Sequence, residues 1–284
     1  VEANRILEFL EEKASAGKLD VDVQLALFEQ ARETATHHRR FHDAGWAMPA
    51  DRLNRLEELV MLLEPLDDER RFAYLFGWHP DLSDANMDDY ENYRAALEAK
   101  RREALDALFS RPNAWEKLEA IALRAEAPTQ IGWALSTYGS VDALDTMLEW
   151  LGSESAAPRD AAAAWVRSHL AVDGPADLRR ALERSDISSE SLKRFVLNIP
   201  TSSRFWTVLR EFPSAHNLYW TETPFEVVPS EDVTEAVESL LDRSRAWSAI
   251  IVASHGIASL SMDHNKHRPA SALVLSALRA AMTQ

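Results

Sequence analysis

The fold is decided by residues 114–170, which read AWEKLEAIALRAEAPTQIGWALSTYGSVDALDTMLEWLGSESAAPRDAAAAWVRSHL. Apolar side chains recur in this stretch at intervals of three and four residues, the spacing of one buried face of an α-helix. Pro128 and Pro158 interrupt the pattern where a helix would end and the next would begin. The stretch therefore predicts two successive pairs of helices, 115–124 with 129–138 and 141–151 with 159–170.

The same rhythm continues toward the carboxyl end of the chain, with further pairs predicted at 175–184 with 188–198 and at 233–242 with 244–255. Such pairs are typical of helical-hairpin repeats, whose periods run from about 33 to about 47 residues. One hairpin cannot bury its apolar face alone, so neighbouring hairpins stack into a continuous core. We therefore predict an all-α protein, an α-α superhelix of stacked helical hairpins.

The chain divides by pattern into an N-terminal helical region, residues 1–110, and a degenerate helical-repeat region, residues 111–284, that continues from it. In the first region, apolar residues occupy every second position from Leu19 onward, a pattern that also fits a strand. The apolar residues that follow recur every three or four positions and favour a helix capped near Asp20. Residues 83–109 contain no glycine or proline and predict a long helix. The segment 213–229, with three prolines, is expected to be a loop.

The composition excludes several classes of function. The chain of 284 residues has no cysteine, which excludes disulfides, thiolate metal sites and cysteine nucleophiles. It has only 8 glycines and none of the glycine-rich phosphate-binding motifs. Its net charge of −15 opposes binding to nucleic acid and to anionic membranes. No apolar run approaches the roughly 20 residues of a membrane helix, so we expect a cytoplasmic protein.

Two segments carry a resemblance to a known type of protein. Residues 77–82, which read GWHPDL and lead into the long helix, and residues 218–220, which read LYW and precede a helical pair starting near Ser230, resemble segments of helical-repeat arms in large multidomain bacterial proteins. The resemblance is to solenoids of the HEAT, armadillo or tetratricopeptide kind and covers about residues 114–258. It implies a sensing or scaffolding arm, and we expect the sequence, which begins with Val1, to be part of a longer chain.

The leading functional hypothesis is a non-catalytic protein-interaction or scaffold module without cofactor, metal or catalytic residues. Its partner would be another protein or other domains of the same chain. We expect Trp78, Tyr219 and Trp220 to be exposed aromatic side chains that bind this partner, because aromatic residues dominate the energetics of interfaces.

The alternative hypothesis is a metal-dependent enzyme. On a helix, His38 and His42 would lie on one face at the spacing of a metal-binding pair. The residues 42–45, which read HDAG, resemble the His-Asp pair of the HD-domain phosphohydrolases, and this implies a hydrolase that uses His38, His42 and Asp43. Arg39 follows the first histidine, however, and would repel a cation.

Other clusters of titratable residues have simpler explanations. The acidic cluster Asp81, Asp84, Asp88, Asp89 and Glu91 is expected at a helix N-terminus, where carboxylates complement the helix dipole. The residues 263–267, which read DHNKH, lie in a polar connector, and the basic residues 100–102 are expected on a solvated helix face.

Overall fold

A computed structural model of the chain describes residues 2–80, 82, 89–225, 227–260 and 271–282. All regular structure in these ranges is helical and none of it is a strand, which confirms the all-α class. The chain divides into two compact units, residues 1–134 and 135–284. The boundary predicted near residue 110 lies inside the first of these units.

The first unit contains the N-terminal helices and a short 3-10 helix. Its first three helices pack together around Phe28, Leu53 and Leu59. The helical elements that begin in this unit are α1 (Glu2–Ser15), α2 (Val21–Arg40), α3 (Ala50–Leu63), α4 (Asp68–Phe72), the 3-10 helix (Ala73–Phe76), α5 (Tyr90–Phe109), α6 (Ala114–Arg124) and α7 (Thr129–Tyr138), the last of which runs across the division between the units.

The starts of α2 and α5 follow from local sequence. Asp20 precedes α2, and its carboxylate accepts a hydrogen bond from the Asp22 amide at 3.0 Å, as predicted. Asp89 caps α5 in the same way through the amide of Asn92. The predicted long helix is confirmed from Tyr90 onward, whereas its residues 83–88 lie outside the described residues, and with them Asp81, Asp84 and Asp88 of the acidic cluster.

A buried carboxylate ties α4 to the chain that leads into α6. The side chain of Asp68 is only 2% exposed. It accepts hydrogen bonds from Arg111 Nη1 at 2.8 and 2.9 Å and from Lys117 Nζ at 2.7 Å. Because a buried carboxylate is stable only when it is paired, these two cations hold the position of α4.

Replacing Asp68 with asparagine is expected to lower the free energy of unfolding of the first unit by about 2–3 kcal/mol, because the amide keeps the shape but loses the charge that both cations require. Urea denaturation followed by circular dichroism measures the effect. Glu69→Gln, one residue later on the same helix, is the control and should cost less than about 1 kcal/mol. Equal stability of the two variants would contradict the role of Asp68.

The second unit is a succession of helices that pack mainly on close neighbours in the sequence. The helix α8 contacts α9 and α11, α10 contacts α12, and α14 contacts α15. The helices that begin in this unit are α8 (Leu144–Gly152), α9 (Ala156–Asp173), α10 (Pro175–Leu182), α11 (Ser189–Leu197), α12 (Ser203–Leu209), α13 (Pro213–Glu222), α14 (Val233–Leu241), α15 (Ala246–Leu260) and α16 (Ser271–Ala281).

The loop predicted for residues 213–229 is wrong in its first half. Residues 213–222 form α13, and Pro213 occupies the first turn of this helix. Proline is favoured there because its missing N–H would have no partner within the helix in any case. The proline therefore starts a helix here and does not mark a loop. The connector that contains Asp263 and His267 lies outside the described residues.

Candidate functional site

Tyr219 and Trp220 were expected to be exposed, and this expectation is wrong. Tyr219 is 0% exposed and Trp220 is 1% exposed. The ring of Trp220 stacks on Phe225 with a centroid distance of 4.9 Å, and Trp206 packs against it at the same distance. These side chains form the core of the second unit and offer no surface to a partner.

Hydrogen bonds satisfy the polar atoms of this aromatic core. Trp206 Nε1 donates to Tyr219 Oη at 3.1 Å, and Trp220 Nε1 donates to His216 Nε2 at 3.1 Å. Burial raises the pKa of the Tyr219 phenol, which therefore stays protonated. Burial, aided by the positive charges of two arginines, lowers the pKa of His216, so its imidazole stays neutral and can accept the indole hydrogen.

Trp78 is the one of the three expected binding residues that lies on the surface, with 54% of the residue exposed. It stands in the segment that follows the 3-10 helix, between Gly77 and the buried Pro80. Tyr93 of α5 donates a hydrogen bond from its hydroxyl to the carbonyl of Pro80 at 2.8 Å. The backbone on the carboxyl side of Trp78 is therefore fixed to α5.

Arg101 of α5 fixes the backbone on the other side of Trp78. Its Nε donates to the carbonyl of Leu75 at 2.8 Å and its Nη2 donates to the carbonyl of Gly77 at 3.3 Å. Its Nη1 donates to Gln130 Oε1 at 2.8 Å. The three nitrogens of one guanidinium thus hold the 3-10 helix, the Trp78 segment and α7 together.

Arg101 is buried, and no described carboxylate forms an ion pair with it. Burial lowers the pKa of this guanidinium to about 10, so it remains charged at neutral pH. A buried charge is costly unless its N–H groups form hydrogen bonds, and here the acceptors are uncharged oxygens of two backbone carbonyls and one side-chain amide. The arrangement favours a fixed backbone around Trp78.

A charged groove of about 570 Å³ lies beside the Trp78 segment. Its walls include Tyr74, Gly77, His79 and Pro80, and the guanidinium of Arg32 lies 3.9 Å from the centre of the Tyr74 ring. Three glutamates and three arginines line the groove, namely Glu29, Glu33, Glu126, Arg32, Arg70 and Arg124.

The histidines His37 and His38 make packing and hydrogen-bond contacts at the C-terminal end of α2. The helix α2 ends at Arg40, so His38 and His42 do not share a helical face as the sequence predicted. His37 stacks on Trp46, with 5.1 Å between the ring centres. His38 Nδ1 accepts a hydrogen bond from the Met48 amide at 3.0 Å.

The residues of the HD-like alternative are not assembled into a metal site. The side chains of His42 and Asp43 are 68% and 92% exposed and contact each other at 3.3 Å. Throughout the ranges that the structure describes, no group of three or more His, Asp or Glu side chains could hold a metal ion. The hydrolase therefore stays a prediction that no observed geometry favours.

Sequence reasoning missed a histidine–carboxylate pair in the second unit. His169 Nε2 lies 2.7 Å from Asp177 Oδ2, and the imidazole stacks on Trp165 with 4.2 Å between the ring centres. Arg180 pairs with Asp142, and all five of these residues line a cavity of about 400 Å³. The four-residue spacing of Trp165 and His169 on one helix was the signal that could have indicated the stacked pair.

None of the helices within the described ranges combines the length and the hydropathy required to cross a bilayer. No protein-family model, no curated protein and no solved structure matches the chain.

Proposed function

We propose that the chain is a non-catalytic protein-interaction module in which Trp78 is the anchor for the partner. The observation that carries this proposal is an exposed tryptophan on a backbone segment fixed from both sides by Arg101 and Tyr93. Tryptophan is enriched among the residues that dominate binding energy. A segment that is already ordered loses little conformational entropy when it binds, which favours affinity.

The charge of the neighbouring groove indicates the chemistry of the partner. Within the described part of the chain, Glu29, Glu33 and Glu126 have no ion-pair partner, and the groove's Arg124 has none either. The groove's other two arginines are engaged, since Arg70 pairs with Asp22 and Asp67 and Arg32 lies over the Tyr74 ring. Among the described residues, three unpaired carboxylates therefore face one unpaired cation, in a protein whose net charge is −15. A basic segment of a partner protein, with an apolar side chain to cover Trp78, fits this surface.

The wider role that we propose is that of a scaffold arm in a larger cytoplasmic bacterial protein, whose other domains are further possible partners. Packing of each helix on close neighbours in the sequence supports a superhelix of stacked hairpins. Such arrays expose extended surfaces for binding. The segment 77–82, which led to the resemblance with helical-repeat arms, is the same segment that presents Trp78.

Replacing Trp78 with alanine is expected to weaken partner binding at least tenfold and to leave the fold intact, because the ring is largely exposed. Phage display of Lys/Arg-rich peptides on the wild-type chain supplies the probe, and fluorescence anisotropy measures its affinity. Raising the salt concentration should also weaken binding, since exposed charges are screened.

The matched control is Trp247→Ala, which removes a tryptophan that is 67% exposed in the second unit. It should bind the selected peptide as the wild type does. Equal affinities of the Trp78 and Trp247 variants, with both folded by circular dichroism, would remove Trp78 from the interface. A selection that yields no peptide above background would contradict a basic partner.

A further inference from the structure

The first unit contains a second groove, of about 500 Å³, between α1, α2 and α3. Leucines from all three helices line it, including Leu10, Leu27 and Leu56. None of the described residues that line the groove is acidic. Its few polar side chains are Gln30, Thr34, His38 and Arg52. Concave apolar sites with a small number of polar groups are typical of ligand pockets.

The imidazole of His38 and the guanidinium of Arg52 line this groove at the same end of the α2–α3 hairpin. At one end of the hairpin, Gln24 Nε2 of α2 donates to the carbonyl of Leu63 at the end of α3. The hairpin is therefore antiparallel, and Leu27 lies near Leu63. At the other end lie His38, near the end of α2, and Arg52, near the start of α3. The groove is thus apolar near Leu63, whereas at its other end Arg52 and His38 add a positive charge and an N–H donor to the apolar residues 46–49.

Two donors at the charged end have no acceptor among the described residues. Because His38 Nδ1 accepts the Met48 amide hydrogen, the hydrogen of the neutral imidazole is on Nε2, for which no described acceptor exists. The guanidinium of Arg52 forms no ion pair within the described ranges, although most arginines of α2 to α4 do so. A cation and an N–H donor at one end of an apolar groove select a ligand with an anionic head.

We infer that this groove binds a single-chain carboxylate, an alkyl chain with one carboxylate head, with the head at Arg52 and His38. The chain would run along α3 toward Leu63. Arg52 and Leu63 are eleven positions apart on α3, which corresponds to about 16 Å of helix, and roughly twelve extended methylenes cover this length. This inference does not depend on the proposed function, because none of the groove's lining residues belongs to the Trp78 segment.

The test is isothermal titration of the full chain with octanoate, decanoate and dodecanoate, each below the concentration at which it forms micelles. Binding should be saturable with one site, and affinity should rise about fourfold for each added methylene. Arg52→Gln should reduce the affinity for dodecanoate about tenfold. Lys18→Gln, which removes a positive charge outside the groove, should leave it unchanged. Circular dichroism checks that both variants are folded.

Dodecanol separates the contribution of the carboxylate head to the affinity from that of the alkyl chain, since it has an alkyl chain of the same length without the charge. It should bind at least tenfold more weakly than dodecanoate. Equal affinity of the alcohol and the acid, or of the wild type and Arg52→Gln, would overturn the assignment of the head. An absence of saturable binding to the wild type would overturn the proposal, as would a dimer in light scattering that dodecanoate fails to dissociate, because a second copy would then fill the groove.

Discussion

Replacing Trp220 with alanine is expected to lower the free energy of unfolding of the second unit by about 4 kcal/mol, enough to unfold a marginal domain. The indole is fully buried, stacks on Phe225 and packs against Trp206. Its removal leaves a cavity and also takes away the hydrogen bond to His216. Loss of a large buried aromatic side chain is among the most costly single substitutions.

Urea denaturation followed by circular dichroism at several wavelengths measures this effect, and a separate transition for each unit would show directly which unit is weakened. Trp247→Ala is the control, because that indole is largely exposed, and it should change stability by less than about 1 kcal/mol. If Trp220→Ala kept the wild-type midpoint, the aromatic core described for the second unit would be wrong.

Replacing Arg101 with methionine is expected to destabilise the first unit by about 3 kcal/mol and to release the Trp78 segment. Methionine fills much of the volume, but it leaves the carbonyls of Leu75 and Gly77 and the side chain of Gln130 without their donors. Each buried acceptor that loses its partner costs about 1 kcal/mol or more. Lysine should restore little of this stability, because one ammonium cannot reproduce the planar fork of a guanidinium.

Thermal and urea unfolding measure the loss of stability, and acrylamide quenching of tryptophan fluorescence reports the release of the segment. Arg94→Met is the matched control on the same helix, since the ion pairs that Arg94 makes with described residues, Glu91 and Glu98, are exposed. It should cost less than about 1 kcal/mol. Wild-type stability of Arg101→Met would show that the three acceptors find other donors.

The affinity of the Arg101→Met variant tests whether binding requires the fixed backbone around Trp78 or only the exposure of its indole. Arg101→Met keeps the Trp78 indole, so any loss of affinity for the selected basic peptide under conditions where the variant is folded must come from the lost order of the segment. An affinity equal to that of the wild type would mean that Trp78 binds without help from the fixed backbone.

The helices were predictable from the sequence because apolar spacing and capping residues act locally. Asp20 begins α2 as expected, and the pairs around Pro128 and Pro158 have the predicted bounds to within a few residues. The segment at Pro213 was not predictable in the same way, because proline both ends helices and starts them. Whether Pro213 ends a helix or starts one is decided only by the packing of α13 against its neighbours.

The exposure of the aromatic residues could not be predicted from the sequence, because the same large apolar side chains are favoured both in a core and in a binding surface. Trp78 and Trp220 differ only in what the fold places over them. The burial of Arg101 could have been predicted from its position in the helix, although it lies within the run of basic residues 100–102. It lies on the apolar face of α5 with Leu97, Leu105 and Leu108, where an arginine requires buried acceptors.

Packing on close neighbours in the sequence also bears on how the chain reaches its folded state. The principal contacts of the described helices, such as those of α14 with α15, join elements that are at most three positions apart in the chain. Few long loops must close before apolar surface is buried, so the relative contact order is low and folding is expected to be fast. Most helices of a nascent chain can therefore pack soon after they leave the ribosome, whereas α4 reaches its final position only when Arg111 and Lys117, 43 and 49 residues after Asp68, have been synthesised.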